Sequence, residues 1–527
     1  EARKIIEEMN KDAGTANALA YIRFSLNTKD EFYQGEMDYY DQAGPIFAQI
    51  GVQFSTMMLE CPYRAELEQK LNPQIFKHYE ISKKAFSDAI IEDMQTENAT
   101  VTEYDKFMGA LTIEFEGEQL PLSVVRGKLD DENREVRYKA AVAIGSGLEK
   151  HADELDTFYD KLVKIRTTMA KKLGYDNYVE LGYYRMARID YDANAVRVFR
   201  DNVKKDIVPA VYALKQNVAK ELGIDKVHYY DDDVYVAGAA PNPIGDKEQI
   251  FAAASRMYNS MHPELGAFMD SMQANEAFDV DAREGKLGGG YCINIPRYEQ
   301  PFIFANFNGS SGDIDVMTHE FGHALADYYM TKEGDPELEV GGMETAECHS
   351  MSMEFFAWKY IEDFFGENTE RYRYKHLLSA LTFIPYGTMV DEFQEKVYLS
   401  PDLSPKERKE LWKSLEEKYR PYMSYEDVPY LREGARWQYQ MHIYERPFYY
   451  IDYCLAQTVA LGFLVASLEN YDDALNRYLT FVRTGGQKPF PETVKAASLA
   501  SPFDVGALER IAKKVTEIAQ DIRAKIN

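Results

Sequence analysis

Residues 315–329 read DVMTHEFGHALADYY, with His319, Glu320 and His323 in the order His-Glu-x-x-His. On a helix, residues four apart lie on one face, one turn above the other, so both imidazoles can reach a single metal ion. Glu320 sits one step round the helix, near enough to touch a water beside that ion and badly placed to be a ligand. The flanking Val316, Met317, Phe321, Ala324 and Leu325 are apolar at helical spacing, which buries this helix. Ser311 or Asp313, after Gly309, offers its N-cap. Two histidines and a glutamate are costly to bury without a partner. The same order also arises by chance, so residues outside it must complete the site.

A catalytic zinc needs a third protein ligand. The long form of the motif, with another His six residues after the second, is absent: that position is Tyr329, and Ala326 stands where its Gly would be. The next helical stretch, 341–358 (GGMETAECHSMSMEFFAW), offers Glu344, Glu347, His349 and Glu354. Glu347 lies 24 residues beyond His323, a gap that fits a turn and a second helix packed alongside. Glu344, one turn earlier on the same face, could accept the hydrogen bond of a ligand imidazole. Glu354 shares that face two turns later, and its plainer alternative is a buried structural ion pair. His349 falls off the face and is expected to be packed or exposed.

On the other side of the motif, composition shifts at Glu284. The loop Gly288, Gly289, Gly290 precedes two β-leaning runs, 291–295 and 301–307 (PFIFANF), closed by Asn308 and Gly309. An edge strand beside a metal helix can bind an extended peptide by backbone pairing. Gly289, Gly290, Tyr291, Phe304, Ala305 and Asn306 are therefore candidate substrate contacts. The alternative is an ordinary small sheet supporting the helix. The glycine loop lacks the GK[ST] ending of a phosphate cradle.

Farther out the chain reads as helix after helix. Apolar spacing of three and four predicts helices over 1–20, 38–51, 73–95, 98–109, 133–151 and 151–173, with a small hairpin at 113–120 around Glu116 and Gly117. A long helix is expected over 194–222, a Gly/Pro loop at 237–245 (AGAAPNPIG), and more helices at 247–275, 370–381, 405–419 and 502–526. Only 448–468 is apolar enough to suggest a membrane span. Asp452, Gln457 and several tyrosines make it a better buried core helix.

With 87 acidic against 60 basic residues the formal charge is −27, which disfavours nucleic acid and would mildly attract cationic peptides. Cys61, Cys292, Cys348 and Cys454 are scattered without a CxxC pair, as expected in a reducing compartment. The chain starts at Glu1 rather than Met, which leaves room for a removed leader.

HEFGH, followed by ETAECHSMSME, resembles the thimet-oligopeptidase and oligoendopeptidase F family of zinc metallopeptidases. FIPYGTMVDEFQEKVY (383–398) and WQYQMHIYERPFYYIDYCL (437–455) are similar to its oligoendopeptidase F branch, of the Pz-peptidase type. The likeness is strong over 285–460 and looser elsewhere. It implies a single zinc ion held by His319, His323 and Glu347, with Glu320 as general base and Glu344 as the acid behind the ligands. It also implies that His442 and the tyrosines of FYYIDY face the substrate as oxyanion donors. Tyr450 and Tyr453 keep the family's three-residue interval and are preferred over Tyr449, which is kept as a substrate contact. Cys348 and His349 stand where thimet enzymes carry Ala-Pro.

The fold the resemblance implies is mainly α: two helical lobes around a deep channel, with a small β-sheet beside the active-site helix. Residues 1–180 would form the N-terminal helical channel wall and 181–283 a helical linking region. The catalytic region would span 284–460 and the C-terminal helices 461–527, all in one continuous unit. The expected activity is hydrolysis of internal bonds in short unfolded peptides, in the cytoplasm, with no nucleic-acid or membrane partner. A zinc carboxypeptidase or dipeptidyl carboxypeptidase is the alternative within enzymes, and would need a cation or donor for the substrate carboxylate. A non-catalytic peptide-binding protein is the alternative outside them, and would be expected to have lost the base or a ligand.

Overall fold

The computed structural model describes residues 2–338 and 341–526. It is mainly helical, with three small sheets among the described residues. The N-terminal stretch forms two long helices, Ala2–Leu26 and Glu31–Leu59, with the turn between them capped by the Asp30 carboxylate on the N–H groups of Phe32 and Tyr33. The expected hairpin is present as Thr112–Phe115 against Glu118–Pro121. Its two turn residues, Glu116 (φ 51°) and Gly117 (φ 89°), take the positive φ values that a tight two-residue turn requires.

The expected single helix over 194–222 is interrupted. Ala193–Asn202 runs into a π-helical turn, Val203–Ile207, before Val208–Leu222 continues. Pro209 stands just inside the second segment, where it has no N–H to give and crowds the carbonyl one turn back.

The core is built outward from the His-Glu-x-x-His segment. The motif lies on Gly312–Glu333, which packs against Met343–Phe356 on one side and the three-stranded sheet on the other. Met343–Phe356 packs in turn against Tyr450–Glu469, the helix flagged as apolar enough to span a membrane. That helix also contacts the long Thr369–Leu399, and most of its residues are buried in the common core. Burial among helices accounts for its hydropathy.

The N-cap differs from expectation. Ser311 is helical (φ −56°, ψ −26°) and makes no side-chain cap. Asp313 instead accepts the N–H groups of Asn308 (2.9 Å) and Gly309 (2.8 Å), fastening the turn between strand and helix.

The sheet places the first of the two β-leaning runs, not the second, at its edge beside the motif helix. Gln300–Phe307 is its central strand, parallel to Phe278–Asp281 and antiparallel to Tyr291–Ile295. Both backbone edges of the PFIFANF run are therefore occupied, and no peptide can add to it. The outer strand on the motif's side is Tyr291–Ile295, in register Tyr291 opposite Phe304. The N-terminal helix leans on this strand and the turn after it: the Tyr21 and Tyr291 rings meet at 5.1 Å, tilted by 48°, and Arg297 is paired with Glu8 and Asp12.

Candidate metal centre

His319 and His323 project from one face of Gly312–Glu333, their rings 5.0 Å apart. Met343–Phe356 brings Glu347 up to both: one of its carboxylate oxygens lies 3.3 Å from His319 Nε2 and 3.5 Å from His323 Nε2. One ligand atom from each of the three residues falls within 4.8 Å of the others, a spacing that one cation can bridge. This approach depends on Gly322, between the two histidines. A Cβ there would lie 2.6 Å from the His349 carbonyl oxygen and 2.7 Å from Ser350 Cα, both backbone atoms of the facing helix. Gly322 thus lets two helix backbones come almost into contact, which is what puts Glu347 within reach.

Hydrogen bonds fix each ligand's orientation. Trp358 has only an N–H to give, and it donates to His376 Nδ1 at 2.9 Å. His376 must then carry its proton on Nε2, which donates to Glu354 at 2.7 Å. The other Glu354 oxygen accepts from His319 Nδ1 at 2.7 Å. His319 Nε2 is left facing Glu347, and once it gives up its proton it offers the lone pair a metal ligand needs. Glu347 is held in turn by the Tyr449 hydroxyl on one oxygen (2.5 Å) and the Ser350 hydroxyl on the other (3.0 Å).

Burial disfavours charge on His319, but Glu347 and Glu354 outweigh it and push its pKa well up. Burial works against the Glu347 carboxylate, yet the two imidazoles hold its pKa well below the usual range. The donor set is thus an electronegative pocket whose two imidazoles offer lone pairs once a cation displaces their protons, which fits a divalent transition metal such as zinc. Glu320 stands beside it, outside the ligand group. Its Oε2 is buried without a partner, and burial raises its pKa. A Cβ on Gly290 would lie 3.6 Å from its Oε1 and 3.0 Å from Val316, so the glycine loop passes directly over the base.

The other anticipated residues separate into groups. Glu344 makes no contact with either imidazole among the described hydrogen bonds. Helical side chains lean toward the N-terminus. Glu344, at the start of its helix, lies beside Asp452, and burial together with that charge lifts its pKa to about 8. The anticipated bond to a ligand imidazole is made by Glu354 instead. Phe304 and Ala305 are 0 % and 1 % exposed and cannot meet a substrate. Asn306 donates to the carbonyls of Leu287 and Gly289 (both 2.9 Å), so it pins the glycine loop. Gly290 and Tyr291 remain at the site. His349 is fully buried against Phe481, its ring nitrogens unpartnered, and burial lowers its pKa to about 3.

His442, Tyr449, Tyr450 and Tyr453 do assemble into one aromatic group. The His442 ring lies 5.8, 5.1 and 5.9 Å from Tyr449, Tyr450 and Tyr453. Burial lowers the His442 pKa to about 4, so the ring is neutral at pH 7. The Tyr386 hydroxyl occupies Gln440 Oε1 (2.6 Å), which directs the Gln440 amide NH₂ to His442 Nδ1 (3.2 Å). The proton of His442 therefore sits on Nε2, as a donor. Tyr449, ranked lowest from sequence, is the phenol that touches a ligand. His376, Trp358 and Ser350 went unread, since nothing in their spacing links them to the motif. Gly322 was visible in HEFGH as a small residue between two large ones.

Two family models match the chain: the peptidase M3 N-terminal domain over residues 1–86 and peptidase family M3 over residues 265–512. An oligopeptidase PepF of Bacillus subtilis (strain 168) is 22% identical over 100% of this chain and 81% of its own length. Among solved structures, a Pz peptidase A with an inhibitor is similar at TM-score 0.96 and 41% identity, over 100% of this chain and 94% of that one. A protein described as an oligoendopeptidase F from Bacillus anthracis str. Ames is similar at TM-score 0.90 and 38% identity, over 99% and 92%.

Proposed function

Because the chain belongs to peptidase family M3 and is a metallo-endopeptidase of oligopeptides, we propose that it cuts them at the His319–His323–Glu347 centre, loaded with one zinc ion, with Glu320 as the base. When bound, zinc supplies Lewis-acid polarisation of the scissile carbonyl and acidifies an attacking water. Glu320 takes that water's proton on its unpartnered Oε2 and hands it to the leaving amine; its raised pKa suits a group that must both accept and give. The glycine loop at Gly289 and Gly290, with Tyr291, carries the peptide backbone across the base. His442 Nε2–H and the Tyr453 hydroxyl face the carbonyl oxygen as its charge grows, while the Tyr449 hydroxyl keeps its proton on Glu347. One such donor is commonly worth about 3 kcal/mol in the transition state. Tyr450 lies farther along the same wall. Glu354, with His376 behind it, holds His319 in its ligand tautomer.

The observation that carries this reading is the convergence of three ligand atoms from two helices beside a buried carboxylate oxygen with no partner. On the same reading the substrates are short unfolded peptides entering a channel between two helical lobes. Neither nucleic acid nor membrane is a partner, and the protein works in the cytoplasm. Residues 1–180 and 181–283 wall the channel, 284–460 hold the chemistry and 461–527 brace it. The test is a quenched-fluorophore peptide panel with wild type and Glu320→Ala, alongside metal analysis. Both proteins should hold one zinc per chain and only wild type should cleave. Equal turnover by the variant rejects Glu320 as base, and absence of bound metal rejects the centre.

A further inference from the structure

Next to the aromatic group lies a cavity of about 420 Å³ whose wall includes Phe383, Tyr386, Tyr439, Arg126 and Arg436. Phe383 and Tyr386 are direct ring neighbours of Tyr450, at 5.6 and 5.9 Å, so the cavity lies one layer of rings from the donor group; Asp130, Asp232 and Asp233 also line it, with Asp232 paired to Lys215 and Arg420. Arg436 is anomalous within it. Its guanidinium is clasped between two rings, 4.1 Å from Tyr439 and 5.0 Å from Tyr386. Its Nη1 is buried without a hydrogen-bond partner, and among the described residues no carboxylate pairs with it. Arg126 reaches the other contact of the same Tyr439 ring at 5.3 Å and also lacks an ion pair among the described residues.

The other arginine of the wall shows what a satisfied guanidinium looks like here. Arg420 bonds Glu416 through two nitrogens (2.9 and 2.7 Å) and also meets Asp232 and Tyr425. A half-buried cation with its faces covered by aromatic rings and an edge nitrogen buried without a partner is poorly solvated. Stacking compensates only in part. The open edge of a guanidinium matches a carboxylate, which it can hold through two parallel N–H···O bonds.

We infer that Arg436, assisted by Arg126, receives a carboxylate of the substrate peptide, either its C-terminus or an acidic side chain, a few residues from the cleaved bond. This rests on the peptidase reading above. A chain of contacts runs from the metal ligand Glu347 through Tyr449, Tyr453, Tyr450 and Tyr386 to Arg436, in steps of 2.5, 4.8, 5.6, 5.9 and 5.0 Å. An extended peptide rises about 3.3 Å per residue, so this path corresponds to at most roughly seven residues. The site therefore anchors peptides by the distance from their charged end, and selects short ones where that end is the terminus.

The test uses the full-length zinc-loaded enzyme and one peptide sequence in three forms: free C-terminus, C-terminal amide, and amide with Asp as the last residue. The number of residues after the cleaved bond is varied from two to seven. Wild type should cleave the free acid about 10- to 100-fold faster in kcat/KM than the amide, most strongly at one length. Arg436→Gln should erase that ratio while leaving the amide's own kcat/KM within a few-fold, and Arg436→Lys should restore part of it. Recovery of the amide by the terminal Asp in wild type assigns the site to side-chain carboxylates as well; no recovery assigns it to the terminus. Equal rates for acid and amide at every length in wild type overturn the inference, even if Arg436→Gln fails to fold. An unchanged ratio in a folded Arg436→Gln overturns it too. No cleavage of any form by wild type would instead reject the peptidase reading.

Discussion

Replacing Gly322 by alanine should damage the metal centre without touching a ligand. The added Cβ would meet the His349 carbonyl oxygen at 2.6 Å, Ser350 Cα at 2.7 Å and the His349 carbonyl carbon at 2.9 Å, where ordinary contact begins at 3.4 Å. All three are backbone atoms of Met343–Phe356, so no side chain can swing away and the helices must part by roughly 0.5–1 Å. Zinc sites tolerate ligand displacements of only about 0.2 Å. Glu347 rides on the helix that moves, while His319 and His323 stay on the one that does not. Zinc affinity and kcat/KM should therefore both fall by about 10- to 100-fold. Stability should change much less. Overpacking costs about 1–3 kcal/mol, and alanine in a helix recovers about 1 kcal/mol of it. The assay is zinc competition against a chelator of known affinity, with thermal unfolding of the metal-free protein as control. A folded Gly322→Ala that binds zinc and cleaves peptide like wild type would refute close helix approach as the basis of the ligand set.

Two further outcomes follow, one beside the site and one away from it. Glu354→Gln leaves one carbonyl to accept from two imidazole N–H groups, those of His319 and His376, and sets an amide NH₂ against the other. Zinc affinity measured by the same competition should drop about 10- to 100-fold; an unchanged affinity would show that His319 needs no such support. Away from the site, burial and the neighbouring Glu445 raise the Asp105 pKa to about 8. A carboxyl held protonated by the fold costs nothing below its unfolded pKa of about 4 and destabilises progressively as pH rises from there to the folded value. Asp105→Asn, neutral throughout, should unfold like wild type near pH 4 and be more stable by about 1–3 kcal/mol at pH 8.5, since the pair shares its proton and touches solvent. A stability difference that does not vary with pH would contradict the shared-proton account.

The residues that determine chemistry are close together in the chain, and the sequence could be read there. The spacing of His319 and His323 is a property of a single helix, and Glu347 lies on the next element with only a turn between. The mainly helical class and the hairpin at Glu116 and Gly117 follow from the same kind of local rule, since periodicity and turn geometry act over a few residues. Pairing order in the sheet is not local. PFIFANF became the central strand because Phe278–Asp281, from before the glycine loop, took its far edge, and no pattern within the run reports that neighbour. The choice of Glu354 over Glu344 behind the imidazole depended on where His376 and Asp452 arrive from distant helices. The unpaired guanidinium of Arg436 is likewise a fact of packing: the sequence shows an arginine, and only the fold decides whether a carboxylate comes within reach of it. Local geometry set the ligands, and long-range packing set what holds them and what lies beside them.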